Sequence, residues 1–371
     1  MKSRLRSAVF SDIHLGHRTT PTEHIIEQLK RSLPTGEETS NLDVIWIPGD
    51  LFDRFLPLNH PDLPLIHEYI AWLLRLCKRH DIVLRVLEGT PSHDNKQAWL
   101  VEAINADVGI GADAKHVASL SIEYIERFDI HVLYIPDEWS ADNDDTWMQV
   151  QRLLSEHGLD QVDFTIMHGQ YPHQLPPNLN VPTHVPERYS GITRYHVYCG
   201  HVHTPSSYLN IHVPGSFDRL RQNEDHPKGH LRTIVEPDGT SYVTFVENEA
   251  AWTYTSVDCT GLEVEDALCK IDAAVTDLRP GSFVRLVMAK DDPSTACLDV
   301  VKRRWPIFNW SSKVEMTNKK GQPTLIDMRA AYKSVPITDR TVADLVRDWL
   351  AENAVEGALL EKCMERLKEV T

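Results

Sequence analysis

The sequence predicts an α+β fold in which two β-sheets pack face to face and helices cover their outer sides. Strand-like and helix-like segments alternate from Met1 onward, and between His203 and about Val246 only strand-like segments follow. Sheets and helices each have an apolar side to bury, so elements in this order are expected to form stacked layers. A change of composition near Glu247–Trp252 predicts a smaller α+β domain after it.

The elements of the first part follow from two kinds of apolar pattern. Short runs rich in β-branched and aromatic residues predict strands, and apolar residues three and four apart predict helices. The expected strands are Leu5–Phe10, Val44–Ile47, Ile82–Leu87, two within Ser119–Ile135 joined at Arg127–Asp129, Phe164–Met167, His196–Cys199, Tyr208–Val213, Leu231–Val235 and Tyr242–Val246, and the expected helices are Pro61–Arg79 and Thr146–His157.

The segments after Trp252 predict a helix, a strand and a second helix–strand pair, then a linker and a helical tail with an amphipathic spacing. They are the helix Val264–Leu278, the strand Ser282–Met288, the second pair up to Met316, the linker Gln322–Val335, and tail helices marked by Val342–Leu350 and Leu359–Leu367. The predicted domains are therefore 1–250, 251–321 and 322–371.

The net charge of −16 over 371 residues bears on possible partners. A protein that binds nucleic acid unaided usually presents a basic face. Two bound divalent cations would add about four positive charges locally, so an acidic chain can still act on nucleic acid. The acidic balance then predicts a modest affinity, or an affinity supplied partly by a partner.

The cysteines and the N-terminus bear on the compartment. Six cysteines are scattered along the chain without a Cys-x-x-Cys pair, as is typical of reduced core residues in a cytosolic protein. No long apolar stretch precedes Ser11, so no signal peptide is expected. No run approaches the roughly 18 apolar residues of a membrane span. The expected location is the cytoplasm.

Five clusters of polar residues follow predicted strands. They are Asp12–His14, Gly49–Asp53, Ser92–Asp94, His168–Gly169 and Gly200–His203. The ligand crevice of an open α/β sheet lies beyond the carboxyl ends of its strands, so these clusters are expected to meet. Carboxylate and imidazole ligands together favour Mn²⁺, Fe²⁺ or Zn²⁺ over Ca²⁺ or Mg²⁺. The pattern predicts a two-metal phosphoesterase.

The spacing within the clusters suits two metals. Asp12 and His14 lie two residues apart at a strand end, so both side chains can face the crevice, and the same holds for His201 and His203. An Asp side chain that lies between the two sets of ligands can bridge the two metals. Phosphodiester hydrolysis needs a nucleophile, neutralised phosphoryl oxygens and a proton for the leaving oxygen, and two metals about 3.5–4 Å apart supply the first two.

The order of the clusters resembles the calcineurin-like metallophosphoesterase superfamily: Asp-x-His, Gly-Asp-x-x-Asp, Gly-Asn-His-Asp or Glu, His, Gly-His-x-His. The flanking residues resemble the SbcD-type nucleases of double-strand-break repair within it, including their phage counterparts. The matching segments are Ser11–Gly16, Gly49–Arg54, Pro214–Ser216 and Pro227–Gly229. The resemblance implies a four-layer α/β/β/α sandwich, a capping domain and partner-binding helices in the tail.

The resemblance also implies a role for each motif residue. One metal would be held by Asp12, His14 and His203. The other would be held by His168 and His201, with Asp50 as the bridge. His93, oriented by Asp94, would contact the scissile phosphate or protonate the leaving oxygen. Asp53 is expected to be structural.

One cluster departs from the superfamily pattern. The chain has Gly89-Thr90-Pro91-Ser92-His93-Asp94 where the pattern has Gly-Asn-His-Asp. The Asn that ligates the second metal is missing, two residues are inserted, and Ser92 stands before the histidine. Either Ser92 ligates weakly, Asn95 reaches back, or water fills the place. The second metal is expected to bind less tightly than the first.

The implied activity is a manganese-dependent 3′→5′ exonuclease on double-stranded ends and an endonuclease on single strands, used in recombination and repair. The implied partners are an SbcC-like coiled-coil ATPase, bound through the tail, and a second copy of the chain. A phage-encoded member would work in the host cytoplasm. Two alternatives remain: a phosphodiesterase for cyclic nucleotides or other small molecules, and a catalytically decayed scaffold that binds DNA ends.

Overall fold

A computed structural model of the chain describes residues 4–137, 142–176, 181–222, 224–290 and 292–315. Its first sheet has the strand order β12-β11-β1-β2-β3-β4. Strands β1 to β4 run parallel, while β11 pairs antiparallel with both β1 and β12. The bounds are β1 Leu5–Val9, β2 Val44–Ile47, β3 Val83–Leu87, β4 Ala114–Val117, β11 Gly229–Val235 and β12 Ser241–Glu247.

The second sheet has the order β5-β6-β7-β8-β10-β9. Strands β6, β7, β8 and β10 are parallel, and β5 and β9 pair antiparallel at the two edges. The bounds are β5 Ser121–Ile125, β6 Ile130–Ile135, β7 Val162–His168, β8 Thr193–Gly200, β9 Ser206–Tyr208 and β10 Ile211–Val213.

Helices flank both sheets. Helix α3 shows why they form, because its buried residues Ile66, Ile70, Leu73 and Cys77 recur at helical spacing. It ends where Asp81 adopts a left-handed conformation and donates its N–H to the Cys77 carbonyl. The helices are α1 Thr22–Ser32, α2 Glu37–Ser40, α3 Leu63–His80, α4 Leu100–Asp107, α5 Asn143–His157 and α6 Pro186–Ile192.

Three hydrophobic cores hold these elements. Residues of both sheets, such as Trp46 of β2 and Phe164 of β7, share one core. A second core joins the other face of the first sheet to α1 and α3, and a third joins the other face of the second sheet to α5 and α6. The structure therefore confirms the predicted mixed architecture of helices and strands built on two sheets.

A third sheet follows, with the order β13-β14-β15 and a hydrophobic core of its own. Met1–Val314 group into one compact unit that includes this sheet, so the domain boundary at residue 250 stays a prediction. The predicted linker and tail helices lie outside the described residues. The elements are β13 Tyr254–Asp258, α7 Val264–Val275, β14 Phe283–Ala289, α8 Cys297–Arg304 and β15 Asn309–Glu315.

Most predicted strands and helices are present with ends shifted by a few residues, but Tyr208–Val213 is not one strand. It forms the antiparallel pair β9 and β10, because Leu209 turns the chain with a positive φ of 54°. The sequence patterns also missed several elements that the structure contains, namely α1, α2, α4, β4, α6 and β13.

Candidate metal centre

The carboxyl ends of five strands bring the predicted ligands together. The polar clusters follow β1, β2 and β3 of the first sheet and β7 and β8 of the second. Three groups of side chains there have ligand atoms within 4.8 Å of one another, close enough to hold a metal ion. The groups are Asp12, His14 and His203; His14, Asp50 and His93; and Asp50, His168 and His201.

The carboxylate of Asp50 lies between the side chains of His14 and His168. Its Oδ2 atom is 3.4 Å from His168 Nε2 and 3.8 Å from His14 Nε2. Burial alone would raise the pKa of Asp50, but the charges of His168 and His14 hold that pKa below its usual range. A carboxylate in this position can bridge two cations.

The first group is Asp12, His14 and His203. The Nε2 atoms of His14 and His203 lie 3.1 Å apart, and His203 Nε2 is 3.9 Å from Asp12 Oδ1. The outer nitrogens of both rings face carboxylates: His14 Nδ1 lies 3.4 Å from Asp53 Oδ1, and His203 Nδ1 lies 2.9 Å from Glu224 Oε1. The His203 contact is a hydrogen bond, and metal-binding histidines are oriented in this way in proteins.

The second metal group, which is Asp50, His168 and His201, has the chemistry to hold a cation. His168 Nδ1 lies 2.7 Å from the Pro48 carbonyl, which can only accept, so Nδ1 carries the hydrogen. The lone pair of Nε2 then faces the Asp50 carboxylate, an arrangement that a proton or a metal ion must stabilise. Burial would lower the pKa of His168, but Asp50 outweighs it and raises that pKa to about 10.

Four of the nine non-glycine residues with a positive φ among the described residues are predicted ligands. Asp12, His14, Asp50 and His201 have positive φ angles of 49°, 55°, 52° and 98°. This region is uncommon for residues other than glycine and costs of order 1–3 kcal/mol per residue. Four strained positions that coincide with predicted ligands point to a functional role for this geometry.

Two glycines let the strand ends approach one another. A Cβ on Gly49 would lie 2.4 Å from His168 Nδ1, and one on Gly200 would lie 2.2 Å from the Pro48 carbonyl oxygen. The lack of a side chain at both positions therefore allows the loops themselves to meet.

The structure differs from the sequence prediction at Ser92, whose side chain is exposed, as is that of Asn95. The N–H groups of His93 and Asp94 both donate to the Thr90 carbonyl, at 2.8 and 3.0 Å, so Pro91 and Ser92 form the outer part of a tight turn. Within this turn, the Thr90 hydroxyl is the one that reaches the centre, 3.1 Å from His168 Nε2.

Asp94 also differs from the prediction, because it does not orient His93. Its buried carboxylate accepts hydrogen bonds from the N–H groups of Asp50, Phe52 and Gly89, at 3.0, 2.8 and 2.8 Å. Burial and the nearby Asp50 charge raise the pKa of Asp94 well above its usual range. Asp94 therefore ties the loops after β2 and β3 together.

His93 is oriented by a backbone group. Its Nδ1 lies 2.5 Å from the Asp53 carbonyl oxygen, so Nδ1 carries a hydrogen and donates it there. The ring packs edge-on against His14, with 4.8 Å between centroids. Asp53, which was expected to be structural, thus contacts two predicted site residues, His93 through its carbonyl and His14 through its carboxylate.

Glu224 and Lys228 support the centre, although the sequence patterns predicted a role for neither. Besides His203, Glu224 contacts the Lys228 ammonium at 3.0 Å and accepts from the Leu220 N–H at 2.9 Å. Burial would raise the pKa of Glu224, but His203 and Lys228 hold that pKa far below its usual range. The Pro227–Gly229 match marks Lys228, but no motif marks Glu224.

A groove of about 530 Å³ opens beside the first group. One wall carries Arg221, whose side chain is 74% exposed and whose Nε lies 3.3 Å from Glu224 Oε1. The groove gives a substrate access to the histidines. Its lining residues are Gln170, Leu175, His201, Val202, His203, Thr204, Arg221, Gln222 and Glu224.

The sequence matches no protein-family model and no curated protein. Among solved structures, one match is 12% identical, with a TM-score of 0.39, and covers 65% of this chain and 99% of that one. Another, TT1561 of Thermus thermophilus, is 10% identical, with a TM-score of 0.38, and covers 65% of this chain and 98% of its own. Likenesses at this level establish no family.

Among the helices within the described ranges, none combines the length and the apolar character needed to cross a bilayer.

Proposed function

We propose that this chain is a dinuclear metal-dependent phosphodiesterase of the calcineurin-like, four-layer type. The observation that carries the proposal is the position of Asp50 between two groups of Asp and His side chains at strand ends. Asp12, His14 and His203 would hold one cation, His168 and His201 the other, and Asp50 both. Mixed carboxylate and imidazole ligands suit Mn²⁺.

Two such cations, when bound, supply an activated water and neutralise the phosphoryl oxygens. The protein supplies the remaining proton transfer. His93 keeps its Nδ1 hydrogen bond to the Asp53 carbonyl whether the ring is neutral or charged, so the Nε2 atom can hold and release a proton. We assign His93 to the leaving oxygen or to a phosphoryl oxygen.

The substrate that we propose is DNA, at double-stranded ends or in single strands, as in SbcD-type nucleases. The exposed Arg221 beside the groove suits a phosphate. The net charge of −16 favours help from a partner in binding DNA, and we propose an SbcC-like ATPase. Residues 251–321 would then form the capping domain, 322–371 would bind the partner, and the chain would form a homodimer.

The test is cleavage of end-labelled duplex DNA by the purified full chain with Mn²⁺, alone and with an SbcC-like ATPase. His93→Ala should abolish cleavage and retain the bound metal, because His93 is not assigned as a metal ligand. His157→Ala, an exposed histidine at the end of α5, is the matched control and should cleave like the wild type.

Three results would contradict parts of this proposal. Hydrolysis of a cyclic nucleotide without hydrolysis of DNA would replace the substrate class and keep the enzyme class. Two bound metals with no phosphodiester hydrolysis, even with the ATPase, would make the chain a scaffold. Loss of metal from His93→Ala would overturn the role of His93.

A further inference from the structure

The second metal group is short of protein ligands. Among the acidic, histidine and cysteine side chains of the described residues, it contains Asp50, His168 and His201. The first group contains Asp12, His14 and His203 and lies next to Asp50 as well. Transition-metal ions in proteins bind four or more donors, so the second cation needs another oxygen or nitrogen.

The Thr90 hydroxyl lies where that donor belongs. Its Oγ1 atom is 3.1 Å from His168 Nε2, 3.3 Å from His201 Nδ1 and 3.3 Å from Asp50 Oδ2. Ligands about 2.0–2.2 Å from one cation lie about 3.0–3.5 Å from each other. The spacing of Thr90 Oγ1 from the three other donors therefore fits one shared cation.

The position of Thr90 does not depend on the hydrogen bonds of its hydroxyl. Thr90 is held in place by its backbone, whose N–H donates to Asp50 Oδ1 at 2.7 Å, so the hydroxyl is not needed for positioning. The hydroxyl can donate its single hydrogen to Asp50 Oδ2 and accept one from His168 while that ring carries a proton on Nε2. A cation that replaced this proton would face the same oxygen atom.

We propose that Thr90 Oγ1 is the fourth protein ligand of the second cation, in place of the missing asparagine; this rests on the proposed dinuclear function. A neutral hydroxyl is a poorer donor than an amide oxygen. The first site also has the Asp12 carboxylate, whereas the second site relies on Asp50 alone for charge. The two sites therefore load in sequence, the second at a higher Mn²⁺ concentration.

Thr90→Val tests the assignment, because valine keeps the shape and the backbone N–H and removes only the oxygen. Calorimetric titration of the metal-free full chain with Mn²⁺ should give two steps for the wild type. In Thr90→Val, the second step should weaken about tenfold or more, with the first unchanged. Thr90→Ser keeps the hydroxyl and should retain both steps, and Thr90→Asn should tighten the second.

Ser92→Ala is the matched control from the same turn and should titrate like the wild type. Low-temperature electron paramagnetic resonance gives a second readout, since the spectrum of coupled Mn²⁺ pairs should appear at higher Mn²⁺ in Thr90→Val. The unchanged first step shows that the variant is folded. An unchanged second step in Thr90→Val would overturn the role of Thr90 and leave the dinuclear function standing. A wild type that binds one cation would overturn both.

Discussion

Among the residues of the centre, His203 is oriented by a buried carboxylate, that of Glu224. Glu224 lies 2.9 Å from His203 Nδ1 and is itself held by Lys228 and the Leu220 N–H. A carboxylate in this place fixes the ring, and its negative charge makes the opposite nitrogen a better donor to a metal. Glu224 acts on the metal through His203 and is thus a positioning residue.

Glu224→Gln should weaken Mn²⁺ binding at the first site by about 10–100-fold, because an amide keeps the contact but not the charge. The readout is the first step of a calorimetric titration, with Glu249→Gln, an exposed glutamate, as the control. The variant also leaves the buried Lys228 without its partner, so the melting temperature of the metal-free chain is measured beside it. Loss of melting temperature with an unchanged first step would show that Glu224 is purely structural.

At the scale of elements, the centre depends on how closely the ends of β2, β7 and β8 approach. Gly200 ends β8, and a Cβ there would lie 2.2 Å from the Pro48 carbonyl oxygen and 2.4 Å from Ser11 Oγ. The first is a backbone atom, and the Ser11 side chain is fully buried, so neither can easily move aside. An added methyl group would have to separate the strand ends.

Gly200→Ala should lower the free energy of unfolding by about 1–3 kcal/mol, as overpacking does, and should weaken Mn²⁺ binding. Gly191 in α6 is the matched control, since a Cβ there meets no atom within 4 Å. Gly191→Ala should be neutral or stabilising, because alanine favours a helix more than glycine does. Urea unfolding of both variants gives the comparison, and equal stability of the two would refute the contact argument.

The elements also show what the sequence could predict. The meeting of ligand clusters that follow buried strands can be predicted from the sequence, because parallel strands place their carboxyl ends at one edge of the sheet. The proposed role of Thr90 could not be predicted from the sequence. Matching the superfamily motif at His93 places Ser92, not Thr90, directly before the histidine. Only the turn closed by the Thr90 carbonyl moves Pro91 and Ser92 outward. Glu224 contacts His203, which lies 21 residues earlier in the chain, and no sequence motif marks Glu224.

At the scale of the whole molecule, stability should depend on pH through histidines buried away from the candidate metal centre. His230 stacks on Phe10, with ring centroids 4.5 Å apart, and its Nε2 accepts from Arg232 Nε at 3.0 Å. Burial, with the charge of Arg232, lowers the pKa of His230 to about 3. Burial and His212 likewise lower the pKa of His196 to about 3.

Because the folded pKa lies below the unfolded value of about 6.5, the unfolded chain binds more protons between them. The stability that each neutral histidine contributes is therefore complete above pH 6.5 and is lost as pH falls from 6.5 toward 3. At pH 5, this loss is roughly 2 kcal/mol for one such group. His230→Gln, which can still accept from Arg232, should flatten the fall in the free energy of unfolding of the metal-free chain between pH 6.5 and 5. His157→Gln, at an exposed histidine, should leave the slope unchanged. An equal slope in wild type and His230→Gln would show that His230 takes up its proton in the folded chain.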